Sequence, residues 1–408
     1  MQRGLSSGSG GAINNVGEIT VENCTINNSH SQTVGGGINN DNSGVSNITN
    51  TTISNCTAQT NGGGIYSAGG GTINISQTNI TGNNAGNAGG GILNNNGATV
   101  LIDNSLISGN QSSGQGAGIN NSGGASMTLS TTTISNNTAG NNGGGMLNNS
   151  GAEAIIDQCL FSGNWSPTNG GGLASSGETS VTTTTFSDNN ATNGGGIAVI
   201  GDELELFHAT VTQNNSGLKV FSGSVDLYQN IIAQNINYDI ISSGSTTSFG
   251  YNLFGNNTNS GVTTAFGDIV GTSASPVDAL LDVLQDNGGP THTHGLLACS
   301  PAIDAADPYS EYFYDQRGFD RFQDGNGNGV FDNDIGAFEA ATGSITGQTP
   351  NAVCQDATVY LDTNGVASIT SSDVDGGTTT GCLSAFFYVS PSTVTCTDTA
   401  GVQVTLQV

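Results

Sequence analysis

Apolar and polar positions along the first half of the chain recur with one period. Glycine triplets stand at 35–37, 62–64, 89–91, 143–145, 170–172 and 194–196, and Gly116-Ala117-Gly118 holds the same register. From 35 to 170 the interval is 27 residues each time. An apolar residue follows every triplet: Ile38, Ile65, Ile92, Ile119, Met146, Leu173 and Ile197. A second column runs through Val21, Ile48, Ile75, Ile102, Leu129 and Ile156, and a third through Ile26, Ile53, Ile80, Ile107, Ile134 and Phe161. Each column lies in a short alternating run such as Thr72-Ile73-Asn74-Ile75-Ser76, so three short strands per repeat are expected, with one set of side chains inward.

Strands this short cannot bury a core alone, and stacking equivalent ones at ~4.8 Å makes a continuous interior. The connection between parallel strands is right-handed by default. The pattern therefore predicts an all-β chain built as a right-handed parallel β-helix, three strands per coil. Glycine suits the corner, where a tight bend needs positive φ and a Cβ would strike the next coil. Three residues after the third column stand Asn83, Asn110, Asn137, Asn164, Asn189, Asn214 and Asn235, with Ser29 and Cys56 in the first two coils. Stacked inward amides would hydrogen-bond one another as a ladder. Beyond residue 197 the interval shortens to between 21 and 25, through Val211 and Ile232. About nine coils to residue 242 make a rod on the order of 40–45 Å long.

Composition agrees with a solenoid. Gly is 64 of 408 residues, Pro only 7 and apolar residues 34%, too few for a broad globular core. Four basic residues, Arg3, Lys219, Arg317 and Arg321, face 31 acidic ones. Clustered cations for phosphate binding are missing, which excludes nucleic acid as a partner. Eight acids fall in residues 1–200 and 23 afterwards, so cation chemistry is expected in the second half. No run is long and apolar enough to span a membrane. The scarcity of Lys and the Cys-bearing tail point to an extracellular or bacterial surface location, although the first residues lack the apolar stretch of a signal peptide. The chain starts inside a repeat, as a piece of a longer secreted protein would.

Residues 275–340 change character. Ser275-Pro276-Val277-Asp278 predicts a helix start, with Val277, Leu280, Leu281 and Leu284 on one face and Asn287-Gly288-Gly289-Pro290 as its stop. Then follow Asn287-Gly-Gly-Pro-Thr-His-Thr-His294, Ser300-Pro-Ala-Ile-Asp304, Asp315-Gln-Arg-Gly318 and Asp334-Ile-Gly-Ala-Phe-Glu339. In this order the motifs resemble the end of the β-helical domain of choice-of-anchor Q surface proteins, so the resemblance covers about 1–340. It implies a cell-envelope or secreted protein on a fold shared with polysaccharide lyases and adhesins. Residues 341–350 are small and polar, as in a linker. Residues 351–408, with Ala352-Val-Cys354, Asp373-Val-Asp375-Gly376, Cys382 and Val402-Gln-Val-Thr-Leu406, resemble a hyalin-repeat-like, immunoglobulin-type β-sandwich module that stops short of its usual closing segment. Cys354, Cys382 and Cys396 permit one disulfide, its pairing left open.

The clearest chemical signal is Asp324-Gly-Asn326-Gly-Asn328-Gly329-Val330-Phe-Asp332-Asn-Asp334. Oxygen donors at positions 1, 3, 5 and 9, Gly at 6 and the Val330 carbonyl at 7 fit the start of a calcium loop. The usual Glu at position 12 is Ile335, leaving Asp334 or Glu339 to substitute. A structural Ca2+ held by Asp324, Asn326, Asn328, Val330, Asp332 and Asp334 is the expectation, weighed against a plain Gly/Asn/Asp turn. Weaker candidates are Lys219 with Glu203 and Glu205 as a lyase site, with His208 in the same region, Asp103 and Asp157 as a glycosidase pair, and His292 with His294 as metal ligands. Each reads more simply as a solvated charge or a structural hydrogen-bonder. No catalytic residues are therefore assigned.

The leading functional expectation is a non-catalytic surface rod, adhesin-like or structural, presenting faces to carbohydrate or another cell surface. A polysaccharide lyase or glycoside hydrolase with an outer-face site is the alternative. Thr131-Thr-Thr133 and Thr182-Thr-Thr-Thr185 suggest a third, ice binding, but other coils break that ladder.

Overall fold

The first glycine of each triplet takes a left-handed backbone, with φ from +54° at Gly194 to +68° at Gly143. The third needs the space instead: a Cβ on Gly64 would lie 2.7 Å from the carbonyl oxygen of Gly91 in the next coil. Both physical demands on the corner thus operate, at different members of the triplet.

The computed structural model describes residues 4–310, 312–342, 353–377, 388–395 and 405–407. It is all-β in its main body: a parallel β-solenoid with three long ladders. Sheet I collects the three-residue strands after the glycine corner, from Ile13–Asn15 to Ile240–Ser242. Sheet II collects the longer strands from Glu18–Glu22 to Ser245–Ser248. Sheet III runs from Thr25–Asn27 to Ile269–Val270. The first two hold ten strands and the third eleven, all in register with the predicted columns, for example Ile75↔Ile102 and Ile80↔Ile107. A fourth ladder of six two-residue strands, Leu5–Ser6 to Thr138–Ala139, was not foreseen, because two residues show no alternation.

The three columns form one continuous core from Val21 to Phe254. The asparagine ladder follows the sequence prediction. Asn83 Nδ2 donates to Asn110 Oδ1 at 3.0 Å, and the same bond links Asn110 to Asn137, Asn137 to Asn164, Asn164 to Asn189, Asn189 to Asn214 and Asn214 to Asn235. Asp239 ends the series by accepting from Asn235. A second interior amide ladder stands at the end of sheet I, where Asn94 donates to Asn121 and Asn121 to Asn148. A hydroxyl ladder at the corner before sheet III uses Thr51, Thr78, Ser105 and Thr132 to receive the backbone N–H one coil earlier. The next corner residues outward, Asn23, Asn50, Gln77, Asn104, Thr131, Gln158, Thr183, His208 and Gln229, all have positive φ.

Residues 275–340 correct one expectation. The predicted helix is absent: Leu281–Gln285 is a strand, antiparallel to Thr293–Leu296. Leu280 has φ +48°, which interrupts a helix, and pairing across the Asn287–Pro290 turn overrides the apolar spacing. The hairpin and the segment after it fold back across the outer face of sheet III. Gln158 Nε2 donates to the Asp315 carbonyl (2.8 Å), Thr185 Oγ1 to Gln316 Oε1 (2.6 Å) and the Ala337 N–H to Thr210 Oγ1 (3.0 Å). Outward-facing Ile231, Ala233 and Leu253 are thereby buried in a second core with Ala279, Leu296, Ala302, Ile303, Ala306 and Ile335.

In the tail, Val366–Ser368 pairs antiparallel with Thr393–Thr395, and Tyr388–Ser390 with Thr405–Gln407. A small cluster of Ala367, Ile369, Val374, Val389 and Val394 lies within it. Cys354 is a free thiol, whereas Cys299, outside the trio considered for pairing, is disulfide-bonded. Cys382, Cys396 and most of the 341–350 linker lie outside the described residues.

Candidate functional site

Where the coils shorten, the outer face of sheet II changes chemistry. Its last three strands align Glu205↔Asp226↔Thr247 and Phe207↔Tyr228, with Phe249 one rung further on. One rung of a parallel ladder is ~4.8 Å, within the centroid separations that offset-stacked rings prefer. Phe207 and Tyr228 stack with centroids 4.3 Å apart and planes 16° from parallel, and Tyr228 and Phe249 at 4.4 Å and 12°. Tyr312 of the folded-back segment leans on Phe207 at 5.4 Å. Rings inside the stack cover one another; Phe249, at its end, is 52% exposed. Tyr251 and Phe266 meet edge to face nearby.

Beside this ladder stand three carboxylates. Glu203 is exposed, and Glu205 and Asp226 are partly exposed on the same face. Partial burial, then the charges of Glu203 and Asp226, raise the Glu205 carboxyl above its usual range; burial raises Asp226 as well. No cation neutralises them: among the described residues the ion pairs are Arg317–Asp315 and Arg321–Glu339. The face therefore offers hydrogen-bond acceptors and an aromatic platform.

The weaker lyase candidate is not gathered on one sheet. Lys219 lies on sheet I over the Phe221 ring, at 5.3 Å, while Glu203 and Glu205 lie on sheet II. His208 is fully buried at a corner, with Nε2 3.0 Å from Ser310 Oγ; burial, then Arg321, lower its pKa well below the usual imidazole value. Asp103 and Asp157 flank Ser130 in register as foreseen, but Asp103 accepts from Ser130 and Thr131, and Asp157 from Thr183. His292 is exposed and His294 buried, with its ring nitrogens 2.6 Å from the Asp282 carbonyl and 2.9 Å from Ser187 Oγ, so they form no pair. The threonine runs split: Thr132 and Thr184 face inward, and Thr185 lies beneath the folded-back segment.

The calcium-like loop is closed at its neck by a Gln323↔Asp332 bridge and the Phe322–Phe331 pair. Asp324 turns inward and accepts from the N–H groups of Asn328 (3.0 Å) and Gly329 (2.9 Å). Asn326 Oδ1 accepts from the Asn328 N–H, and Asn328 Oδ1 from the Val330 N–H. Asp304, not foreseen, accepts from Gly325 and Asn326. Burial raises its carboxyl, backbone N–H groups oppose that, and the charges of Asp324 and Asp332 add to it. Asp334 is buried and accepts from the Asp304 and Ala340 N–H groups. Among the described residues no three acidic, His or Cys side chains converge as a metal site.

The motifs around Asp334 instead build a buried charge network. Arg321 is fully buried, donates to the carbonyls of Tyr314, Asp334 and Gly336, and lies 3.7 Å from Glu339. Burial pushes Glu339 up to about 10 and Asp334 to about 7, and lowers Arg321. Desolvation thus outweighs the attraction between the partners.

The aromatic ladder escaped the sequence reading, yet it left a signal. Phe207, Tyr228 and Phe249 are spaced by 21 residues, the shortened coil length.

The molecule is a parallel β-solenoid with one elaborated face. The chain belongs to the right-handed β-helix family: the family model described as "Right handed beta helix region" matches residues 9–183 and 86–236. No curated protein and no solved structure matches the chain.

Proposed function

We propose that this chain is a non-catalytic extracellular rod that displays a carbohydrate-binding face on the last coils of sheet II. The observation that carries this reading is the Phe207–Tyr228–Phe249 ladder, exposed at Phe249, on the same sheet face as Glu205 and Asp226. A glycan lying along this face can pack its apolar surface against the outward edges of the rings while its hydroxyls donate to the carboxylates. The uncompensated negative charge selects against uronic-acid polymers, so the ligand class is neutral or amino-sugar glycan. The long repetitive faces serve as spacer.

The test is affinity electrophoresis and a glycan array with the whole chain and with Phe249→Ala and Glu205→Gln. Retention by neutral or amino-sugar glycans that both substitutions weaken supports the reading. Absence of retention on every glycan leaves a plain structural rod, and preferential binding of polyuronates overturns the ligand class.

One observation favours an enzyme as the second reading. Glu205 and Asp226 are register partners on adjacent rungs, ~4.8 Å apart by strand spacing, near the separation of retaining glycosidase carboxylates. Release of reducing ends by the chain, abolished by Asp226→Asn, would replace the binding reading with this one.

Calcium is retained as a structural proposal for the loop, through Asp324, Asn326, Asn328, the Val330 carbonyl and Asp332. Millimolar calcium should raise the thermal midpoint, and Asp324→Ala should remove the effect; no shift in the intact chain ends the proposal.

A further inference from the structure

We propose that Asn326 is a site of spontaneous deamidation, singled out because the fold leaves the amide nitrogen of Gly327 unbonded. Asparagine is chemically labile, above all before glycine, where no Cβ hinders approach of the next backbone nitrogen. The sequence contains nine Asn-Gly pairs. In eight of them the glycine N–H is occupied.

In the coils, Gly62, Gly143 and Gly170 donate to the carbonyls of Ala88, Asn169 and Asn193 in the next turn, and Gly97 donates to Gly123. The N–H of Gly194 goes to the Tyr238 hydroxyl, 2.9 Å away. Outside the coils, Gly288 donates to Asp286, Gly329 to Asp324 and Gly365 to Asp362. Several of the asparagines are also held by their side chains: Asn87 donates to Asn61 Oδ1, Asn169 to Asn142 and Asn193 to Asn169.

Gly327 has no hydrogen bond from its N–H among the described residues, and a Cβ there would meet nothing within 4 Å. Its φ of +73° is open to a glycine without strain. Asn326 is partly exposed, and its side chain is already turned toward the following backbone, with Oδ1 3.0 Å from the Asn328 nitrogen. That approach shortens the path to a near-attack geometry.

The chemistry needs only water. The deprotonated Gly327 nitrogen attacks Asn326 Cγ, a C–N bond forms, and the Cγ–Nδ2 bond breaks with Nδ2 leaving as ammonia after protonation by solvent. Water then opens the cyclic imide at either carbonyl, giving aspartate or isoaspartate. The product places a new carboxylate beside Asp304 and Asp324. More ligand charge tightens calcium loops, so the modification would slowly alter the loop that the calcium reading concerns, yet it stands without that reading.

The experiment incubates the whole chain at mildly alkaline pH and maps peptides by mass spectrometry over time, natively and in denaturant. In the native chain, conversion at Asn326 should run roughly tenfold or more ahead of the other eight, which must first open locally. In denaturant the nine should convert at comparable rates. Native conversion led by another pair, an intact Asn326, or the same ranking in both conditions would overturn the proposal. Calcium binding is measured separately on Asn326→Asp, so failure of the metal reading leaves the deamidation result untouched.

Discussion

The coils before residue 158 and the segment after 275 solve the same problem in opposite ways. Each coil buries polar groups by repetition: an amide that serves one rung is served by the same amide on the next, as from Asn83 through Asn110 to Asn137. The folded-back segment has no repeat, so it buries single groups, Arg321, Asp315, Asp334 and Glu339, each held by partners that occur once, such as the Asp334 N–H on Glu339 and the Glu339 N–H on Asp315. Ladders distribute the loss of any one member over neighbours, whereas a unique network concentrates it. The candidate binding face sits where the two regimes meet, on coils 203–249, where repetition relaxes enough to place different side chains on adjacent rungs.

The sharpest way to break this contrast is Arg321→Ala. It leaves Glu339 without its cationic partner and three carbonyls without their donor, and should cost about 3–5 kcal/mol. Hydrogen exchange should show residues 275–340 opening while the early coils stay protected; uniform loss of protection would mean the two regions are one cooperative unit.

A comparable effect, on the order of a few kcal/mol, should come from pH. The folded-state values of Asp334 and Glu339 are raised above their ordinary ones, so their contribution is fully present below about pH 4. It is lost as pH rises through about 7 for Asp334 and onward to about 10 for Glu339. Limited proteolysis of 275–340 should therefore accelerate from pH 5 to 9, with the early coils unchanged; slower cleavage at high pH would contradict the burial argument.

Within the coils, Ile107→Ala removes a fully buried side chain and should cost about 3 kcal/mol by chemical denaturation. Asn137→Ala should cost less, about 2 kcal/mol, since only two rungs lose partners. A larger cost for the asparagine than for the isoleucine would show that the ladder, not the apolar column, carries coil stability.

The pattern of residues told much of the fold. A strict period, three inward columns and one amide column are local statements repeated many times, so noise cancels. The second amide column runs through Asn15, Asn40, Asn94, Asn121 and Asn148, but Ser67 breaks it and Ser175 ends it. The site was far less legible. The 21-residue aromatic spacing was present, but its meaning depends on which face it occupies, and Tyr312 reaches it from a distant segment. The calcium-like loop illustrates the limit: spacing alone grouped Asp334 with Asp324, while the backbone carries Asp334 into the charge network and brings Asp304 to the loop instead.

By itself, then, the sequence determined the coil, its period, its strands and its inward polar ladder, because each follows from interactions between equivalent residues one repeat apart. Only the tertiary structure decided that residues 275–340 form a hairpin and a strap across sheet III, that Arg321 is buried, and that carboxylates and rings share one exposed face. Those facts depend on contacts between residues with no common period, such as Gln158 with Asp315, which no local pattern encodes.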